Sequence, residues 1–232
     1  MRSRNVPHCA PNCGQIRRRK AIAARYDDKR CEGEGTLGAN PRSGGKTECG
    51  AEVSGRAKVI SSRLVFKSPI FGVRRDRVIE PGAVHTTRYV VTHGGSVVLL
   101  PVFPDGRILL VRQYRHTVGT FMWELSAGRR EPGEGWRAAA QRELREETGF
   151  RAGDLRKLLE VSPSPGFVAE RLLIYIARGL RRDHAAQDVD ERITTRYFTL
   201  PELIRWIRAG RISDAKSVSG ILYYARFGIS RR

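Results

Sequence analysis

The 232-residue chain lacks long apolar runs. Apolar residues make up 40% of it, but no run approaches the roughly 18–20 residues that a membrane-spanning helix needs. The first residues also lack the apolar stretch that is typical of secretory signals. We therefore expect a soluble, cytoplasmic protein with no membrane partner.

Cysteine is absent after residue 49. Cys9, Cys13, Cys31 and Cys49 are the only four in the sequence, and they form no CxxC pair. This spacing disfavours a structural zinc site. The long remainder of the chain needs no disulfide, which agrees with a reducing compartment.

Acidic residues are in short supply. Lys and Arg number 43 against 24 Asp and Glu, so the formal net charge is +19. Such a charge attracts polyanions, and nucleotides, nucleic acids and acidic membrane surfaces all qualify. An ordinary basic surface without such a partner has the same composition. Charge alone therefore does not select a function.

Residues 1–57 lack any sustained hydrophobic period. Residues 1–60 hold 13 Lys and Arg against 6 Asp and Glu, mixed with Gly, Ser and Asn. Low hydrophobicity and high net charge predict a disordered basic extension over 1–57, followed by one folded domain over 58–232. The extension is either a polyanion-binding arm, the one route by which we expect nucleic acid to bind, or a segment without function.

Strand and helix signals alternate in mixed order beyond this extension, which predicts an α/β fold. The last two strands of the first group should form a hairpin around the turn Pro104–Gly106. Gly149 should end the first helix. The predicted strands are 59–68, 86–93, 96–103, 107–115, 158–161, 171–177 and 193–198, and the predicted helices are 134–148, 201–209 and 214–227.

The segment 128–150, GRREPGEGWRAAAQRELREETGF, concentrates acids on one helix. Glu143 and Glu147 are four residues apart and lie on one face, with Glu146 beside them. Three like charges at this spacing repel one another. A hard divalent cation removes that cost, because Mg²⁺ prefers carboxylate oxygens and also binds phosphate oxygens.

Two further residues of the segment have expected structural roles. Arg142 can pair with Glu134 or Glu146 and hold the preceding loop against the helix. Gly128 permits a tight turn from strand to loop.

This segment is similar to the Nudix box, GX5EX7REUXEEXGU, in which U is a bulky apolar residue. Every fixed position of that pattern is filled here. The resemblance implies an α/β/α sandwich with a mixed sheet and a Mg²⁺-dependent pyrophosphohydrolase, with Mn²⁺ as an alternative ion. The structural positions of the box are Gly128, Glu134, Arg142 and Gly149.

Several segments outside the box resemble the ADP-ribose pyrophosphatase branch of this family. These are RQYR at 112–115, WELSAG at 123–128, SPGFVAE at 164–170 and RISDAKS at 211–217. Pro165 follows Phe150, the last residue of the box, at the spacing that the branch associates with ADP-ribose. The resemblance also implies a homodimer in which N-terminal strands from residues 58–93, chiefly Leu64–His93, help to build the partner's site.

Carried over residue by residue, the resemblance implies a set of site residues. The metal ligands are Glu143, Glu147 and the Ala127 carbonyl, with Glu146 in the same cluster and also near the reacting water. The substrate-binding residues are Arg88, Arg115, Glu124, Pro165 and Glu170.

The sequence departs from the branch at two places. Ser126 replaces the usual proline of WELPAG. The late acidic loop, QDVDERI at 187–193, is less acidic than in many relatives, and Val189 occupies a position that is often acidic. Glu191 aligns best with the catalytic base, while Asp190 and Asp188 stay open as alternatives.

The resemblance implies that water cleaves the pyrophosphate bond of a nucleoside diphosphate derivative. ADP-ribose, giving AMP and ribose 5-phosphate, is the expected substrate. Other nucleoside diphosphate sugars or nucleotides are alternatives within the enzyme class. A sensor that binds ADP-ribose without cutting it is the alternative from another class.

Overall fold

The computed structural model describes residues 54–183 and 193–228. The predicted basic extension over 1–57 lies outside this range except for its last four residues, and Glu191, Asp190, Asp188 and Val189 lie outside it altogether. The strands are β1 Lys58–Lys67, β2 Gly72–Glu80, β3 Val84–Thr92, β4 Ser96–Pro101, β5 Ile108–Arg115, β6 Thr120–Glu124, β7 Ser126–Arg129, β8 Phe150–Val161, β9 Val168–Ala169, β10 Leu172–Arg182 and β11 Thr194–Phe198. The helices are α1 Trp136–Thr148, α2 Leu200–Arg208 and α3 Ala215–Phe227.

A mixed sheet in the order β7-β4-β10-β8 forms the centre of the domain. β4 and β10 run parallel, and the other neighbours are antiparallel. Because side chains alternate along a strand, Val97 and Leu99 pack with α1 residues on one face. Val98 and Leu100 pack on the other face with residues of α2 and α3. This layering confirms the α/β/α sandwich with a mixed sheet.

The predicted hairpin between β4 and β5 is wrong as a strand pairing. The turn itself forms, with Phe103 N–H donating to the Arg107 carbonyl at 2.9 Å, but only a single bridge joins Val102 to Ile108. Both edges of β4 are already occupied by β7 and β10, so β5 has no free edge to join. β5 instead lies between β11 and β6 in a separate three-stranded sheet.

The N-terminal sheet has the order β1-β2-β3-β9 and leaves much apolar surface exposed. All ten residues of β1 are exposed in this single chain, among them Leu64 and Phe66. β2 was not predicted, because its sequence GVRRDRVIE shows no alternation of apolar and polar residues. Its one buried acid, Asp76, accepts hydrogen bonds from Ser62 Oγ at 2.6 Å and from Arg74 Nε at 2.8 Å.

The helices follow the sequence prediction to within two residues. Gly149 adopts a left-handed conformation, with φ of 70°, and ends α1 as predicted. α1 begins two residues later than expected, since Glu134 uses its side chain in the loop instead. Thr199 caps α2 and Asp214 caps α3 by accepting backbone hydrogen bonds. No helix in the described part of the chain is long and apolar enough to cross a membrane.

Candidate active site

The carboxylate of Glu143 lies against the bare α-carbon of Gly128. α1 packs beside β7, and a Cβ atom built on Gly128 would collide with the carboxylate atoms of Glu143. Gly128 lies within β7, paired with Val97, and it has no positive φ. The expected role in a tight turn is therefore wrong. Glycine is needed here because an acidic side chain approaches the backbone too closely for any other residue.

Arg142 holds the loop and the acids of α1 together. Its Nε and Nη2 atoms each donate to Glu134 at 3.0 Å, and Nη2 also donates to the Arg129 carbonyl at 2.9 Å. Its Nη1 atom donates to Glu143 at 2.7 Å and to Glu146 at 2.9 Å. The structure thus contains both of the pairs predicted for Arg142, with Glu134 and with Glu146.

Glu147 turns toward the backbone of β7. Its Oε2 accepts a hydrogen bond from the Ala127 N–H at 3.1 Å. The N–H and C=O of one strand residue point to the same side of the strand. The Ala127 carbonyl therefore faces the same side as Glu147, at the edge of β7 where α1 packs.

Charge and burial shift several pKa values within this cluster. Burial raises the pKa of Glu143, the Arg142 guanidinium opposes that rise, and the nearby carboxylates of Glu146 and Glu134 add to it. The hydrogen bonds from Arg142 lower the pKa of Glu134. Glu143 is only 9% exposed, so its charge lies in a partly desolvated place where a cation is most strongly attracted.

A second charged network lies beside the first. Arg115 donates to the buried Glu124 through Nε at 2.8 Å and Nη2 at 2.7 Å. Lys216 donates to the same carboxylate and also pairs with Asp214 at 2.9 Å. Pairing with Glu124 raises the pKa of Arg115, and the charge of Glu147 contributes to that rise. The two networks are therefore electrostatic neighbours.

Sequence reasoning missed Lys216 and Asp214 as members of this network. Ser217 completes it, because its Oγ accepts from the Leu125 N–H at 2.7 Å and donates to Asp214 at 2.5 Å. All three residues belong to the RISDAKS segment. The available signal was a charged residue in the first turn of a helix, since Lys216 is the second residue after the Asp214 cap.

The other predicted site residues make contacts of their own in this single chain. Arg88, on β3, donates two hydrogen bonds to Glu80 at 2.8 and 2.7 Å. Glu170 accepts from Ser96 Oγ at 2.6 Å and lies 3.2 Å from His93 Nδ1. Pro165 is exposed in the loop before β9. Within the described residues, no hydrogen bond or ion pair connects these three with Glu143 or Glu146.

Within residues 54–183 and 193–228, no group of three or more His, Cys, Asp and Glu side chains is arranged as a metal site. Arg142 Nη1 instead bonds both Glu143 and Glu146. The ligand set implied by the resemblance needs fewer side chains, because one of its donors is the Ala127 carbonyl. Glu191 and Asp190, the predicted bases, lie outside the described residues.

Comparison with known proteins identifies the class. The NUDIX domain family model matches residues 92–219, which span β4, the acid-rich helix and the start of α3. The chain therefore belongs to the Nudix hydrolase family.

Individual relatives agree with this membership. The chain is 36% identical to the ADP-ribose pyrophosphatase of Mycobacterium tuberculosis over 168 residues, which cover 71% of this chain and 81% of that protein. It is 33% identical to the methanol dehydrogenase activator of Bacillus methanolicus, covering 72% and 91%. A crystal structure of an ADP compounds hydrolase matches the fold with a TM-score of 0.66 and 22% identity, over 75% of this chain and 94% of that one.

Proposed function

We propose that this protein hydrolyses the pyrophosphate bond of ADP-ribose and releases AMP and ribose 5-phosphate. The observation that carries the proposal is the packing of Glu143 and Glu147 against Gly128 and Ala127 of β7. A relative named ADP-ribose pyrophosphatase, 36% identical to this chain, supports the choice of substrate. The position of Pro165 after the box supports it as well.

A divalent metal is the cofactor that the Nudix family generally uses. The residues present fit such an ion, since the candidate donors are all oxygens and Gly128, beside the Glu143 carboxylate, has no side chain. Glu143, Glu147 and the Ala127 carbonyl would hold it, with Glu146 beside them, and we propose Mg²⁺ with Mn²⁺ as an alternative. When bound, the ion neutralises phosphate charge and lowers the pKa of a coordinated water.

The chain's own side chains bind and orient the substrate. Arg115 commits Nε and Nη2 to Glu124, and its Nη1 atom is not among those donors. We therefore propose that Nη1 binds a phosphate oxygen, with Glu124 and Lys216 fixing the orientation of the guanidinium. Glu191 or Asp190 accepts the proton of the attacking water.

The remaining predicted residues act across a homodimer in this proposal. The exposed apolar side chains of β1 provide a surface for a second copy. Arg88, Glu170 and Pro165 then line the substrate pocket, with Arg88 supplied by the partner. A cytoplasmic location belongs to the same proposal, because the substrate is a nucleotide and the sequence from residue 50 onward has no cysteine.

The decisive experiment mixes the purified full-length chain with Mg²⁺ and ADP-ribose and measures the release of AMP. Glu147→Gln should abolish release while its circular dichroism spectrum stays unchanged. Glu131→Gln is the matched control, because Glu131 is an exposed acid of the same segment that fills no fixed box position.

Two outcomes would contradict the proposal. Absence of turnover across a panel of nucleoside diphosphate compounds would contradict the proposed enzyme activity. Calorimetric binding of ADP-ribose with no product formed would favour the sensor. Faster turnover of GDP-mannose or another nucleotide than of ADP-ribose would change the proposed substrate but not the proposed reaction.

A further inference from the structure

The hairpin of β8 and β10 brings two arginines into register. Arg151 and Arg181 are direct cross-strand partners, and both are exposed. Like charges placed directly opposite each other destabilise an antiparallel pair. Within residues 54–183 and 193–228, neither arginine has an ion pair or a side-chain hydrogen bond, and the hairpin's Asp154 pairs instead with Arg156 at 2.9 Å.

Two adjoining cavities open beside this arginine pair. One has a volume of about 550 Å³ and lies between α1 and β8, and the other, of about 390 Å³, lies along the hairpin. Arg151 and Gly153 line both. Among the described residues, the charged side chains that line the two cavities are all arginines, Arg137, Arg151 and Arg181, which favours an anion.

The floor of these cavities is bare backbone. Gly153 and Gly179 face each other across the two strands, and a Cβ on Gly153 would lie 3.3 Å from the Gly179 carbonyl oxygen. Gly179 has φ of +60°, a conformation that other residues rarely adopt. Glycine inside a strand often marks a place where a ligand or another backbone approaches closely, and at Gly153 the neighbour is the backbone of Gly179.

α1 provides the third wall. Arg137 donates through Nη1 to the Leu155 carbonyl at 2.6 Å, which fixes its guanidinium at the cavity. Gln141 lines the same cavity, and its buried Nε2 has no hydrogen-bond partner in the part of the chain that the structure describes. At 3.6 residues per turn, Arg137 and Gln141 lie on average about 120° around the axis of α1 from Glu143 and Glu147, on a different flank of the helix.

We propose that this pocket is a second anion site, which binds a phosphate group between Arg151 and Arg181. A bound dianion turns a repulsive arginine pair into two charge-assisted contacts. The site lies on the other flank of α1 from the acid cluster, and it does not depend on the proposed hydrolysis. Because the two cavities share Arg151 and Gly153, pyrophosphate should span both and bind more tightly than inorganic phosphate.

Titration of the full-length protein with inorganic phosphate tests the site. The amide NMR signals of Gly153 and Gly179 are followed at constant ionic strength, with EDTA present so that the acid cluster holds no metal. We expect saturable shifts of both signals, with pyrophosphate saturating at lower concentration. Arg151→Ala/Arg181→Ala should weaken phosphate binding about tenfold or more.

The matched control is Arg205→Ala/Arg208→Ala. It removes the same charge from exposed positions of α2, and neither residue lines either of these two cavities. The control should retain the saturable shifts. The proposal fails if the glycine signals do not saturate in the wild-type protein, or if both double variants lose binding equally, since general surface charge then explains the effect.

Discussion

Arg115 binds Glu124 through two parallel hydrogen bonds, and Lys216 approaches the same carboxylate from α3. Glu124 is only 1% exposed, so its charge relies on these two cations. Through these two contacts, Glu124 links the β5–β6 pair to the start of α3.

Glu124→Gln should therefore reduce both stability and activity. Removing one member of a buried charge network leaves the others uncompensated, at a cost of about 3–5 kcal/mol. Urea unfolding measures the loss of stability, and AMP release measures the loss of activity. Glu202→Gln is the control, because Glu202 pairs with Arg196 at the surface. Equal free energies of unfolding for the wild-type protein and Glu124→Gln would contradict the role of the network.

Gly128→Ala should remove activity by displacing Glu143. The added Cβ would occupy the space of the Glu143 carboxylate, and overpacking of this kind costs about 1–3 kcal/mol. We expect turnover to fall by about a hundredfold or more, in line with the known cost of displaced catalytic groups. Gly135→Ala is the control from the same box, since nothing lies within 4 Å of a Cβ there. Full activity of Gly128→Ala would show that the position of Glu143 does not matter.

Removal of the buried hydroxyl should have opposite effects on stability at Ser126 and at Ser217. Both are fully buried, but Ser126 Oγ has no hydrogen-bond partner among the described residues, whereas Ser217 Oγ has two. Ser126→Ala should keep or raise stability, by up to about 1 kcal/mol, because an unsatisfied polar atom leaves the core. Ser217→Ala should lower it by about 1–3 kcal/mol.

Thermal or urea unfolding of the two serine variants, side by side, checks both expectations. Activity should survive in Ser126→Ala, since no proposed ligand is removed. A destabilised Ser126→Ala variant would mean that its hydroxyl has a partner in solution.

Glu160 should contribute to the loss of stability in acid. Hydrogen bonds from Arg171 and then Lys157 lower its pKa to about 2. Since the folded pKa lies below the unfolded value, the stabilisation is complete above the ordinary pKa of glutamate. It disappears as the pH falls from about 4.5 to about 2. The difference in the free energy of unfolding between the wild-type protein and Glu160→Gln should therefore shrink as the pH falls through that range.

Denaturant unfolding measured at several pH values tests this dependence. Arg171, Lys157 and Glu160 lie at the surface, so added salt should reduce the difference between the two proteins. If the difference in the free energy of unfolding does not change with pH, the ion pairs of Glu160 are not its cause.

Local patterns predicted α1 and its acids well. The i and i+4 spacing of Glu143 and Glu147 determines their shared face once the helix forms, and Gly149 marks where it ends. The pair of Arg142 with Glu134 was predictable for the same reason, because both belong to one short segment.

Long-range pairings could not be predicted in the same way. The hairpin expected between β4 and β5 fails because β10, which is distant in sequence, takes the edge of β4. Lys216 contacts Glu124 only after α3 packs against the sheet. Gly128 was assigned to a turn, since no sequence pattern shows that an acid from α1 will lie over it.

The parallel pairing of β4 with β10 also has a consequence for folding. Leu172 pairs with Ser96, so the whole acid-rich box lies inside the loop that this pairing closes. Such distant contacts form late, because the chain entropy of a long loop opposes them. A growing chain that has been synthesised only as far as Gly149 holds residues 128–149 of the box but lacks β10, the strand that borders β4. Competence for catalysis should therefore arise only when the second half of the domain has joined the first.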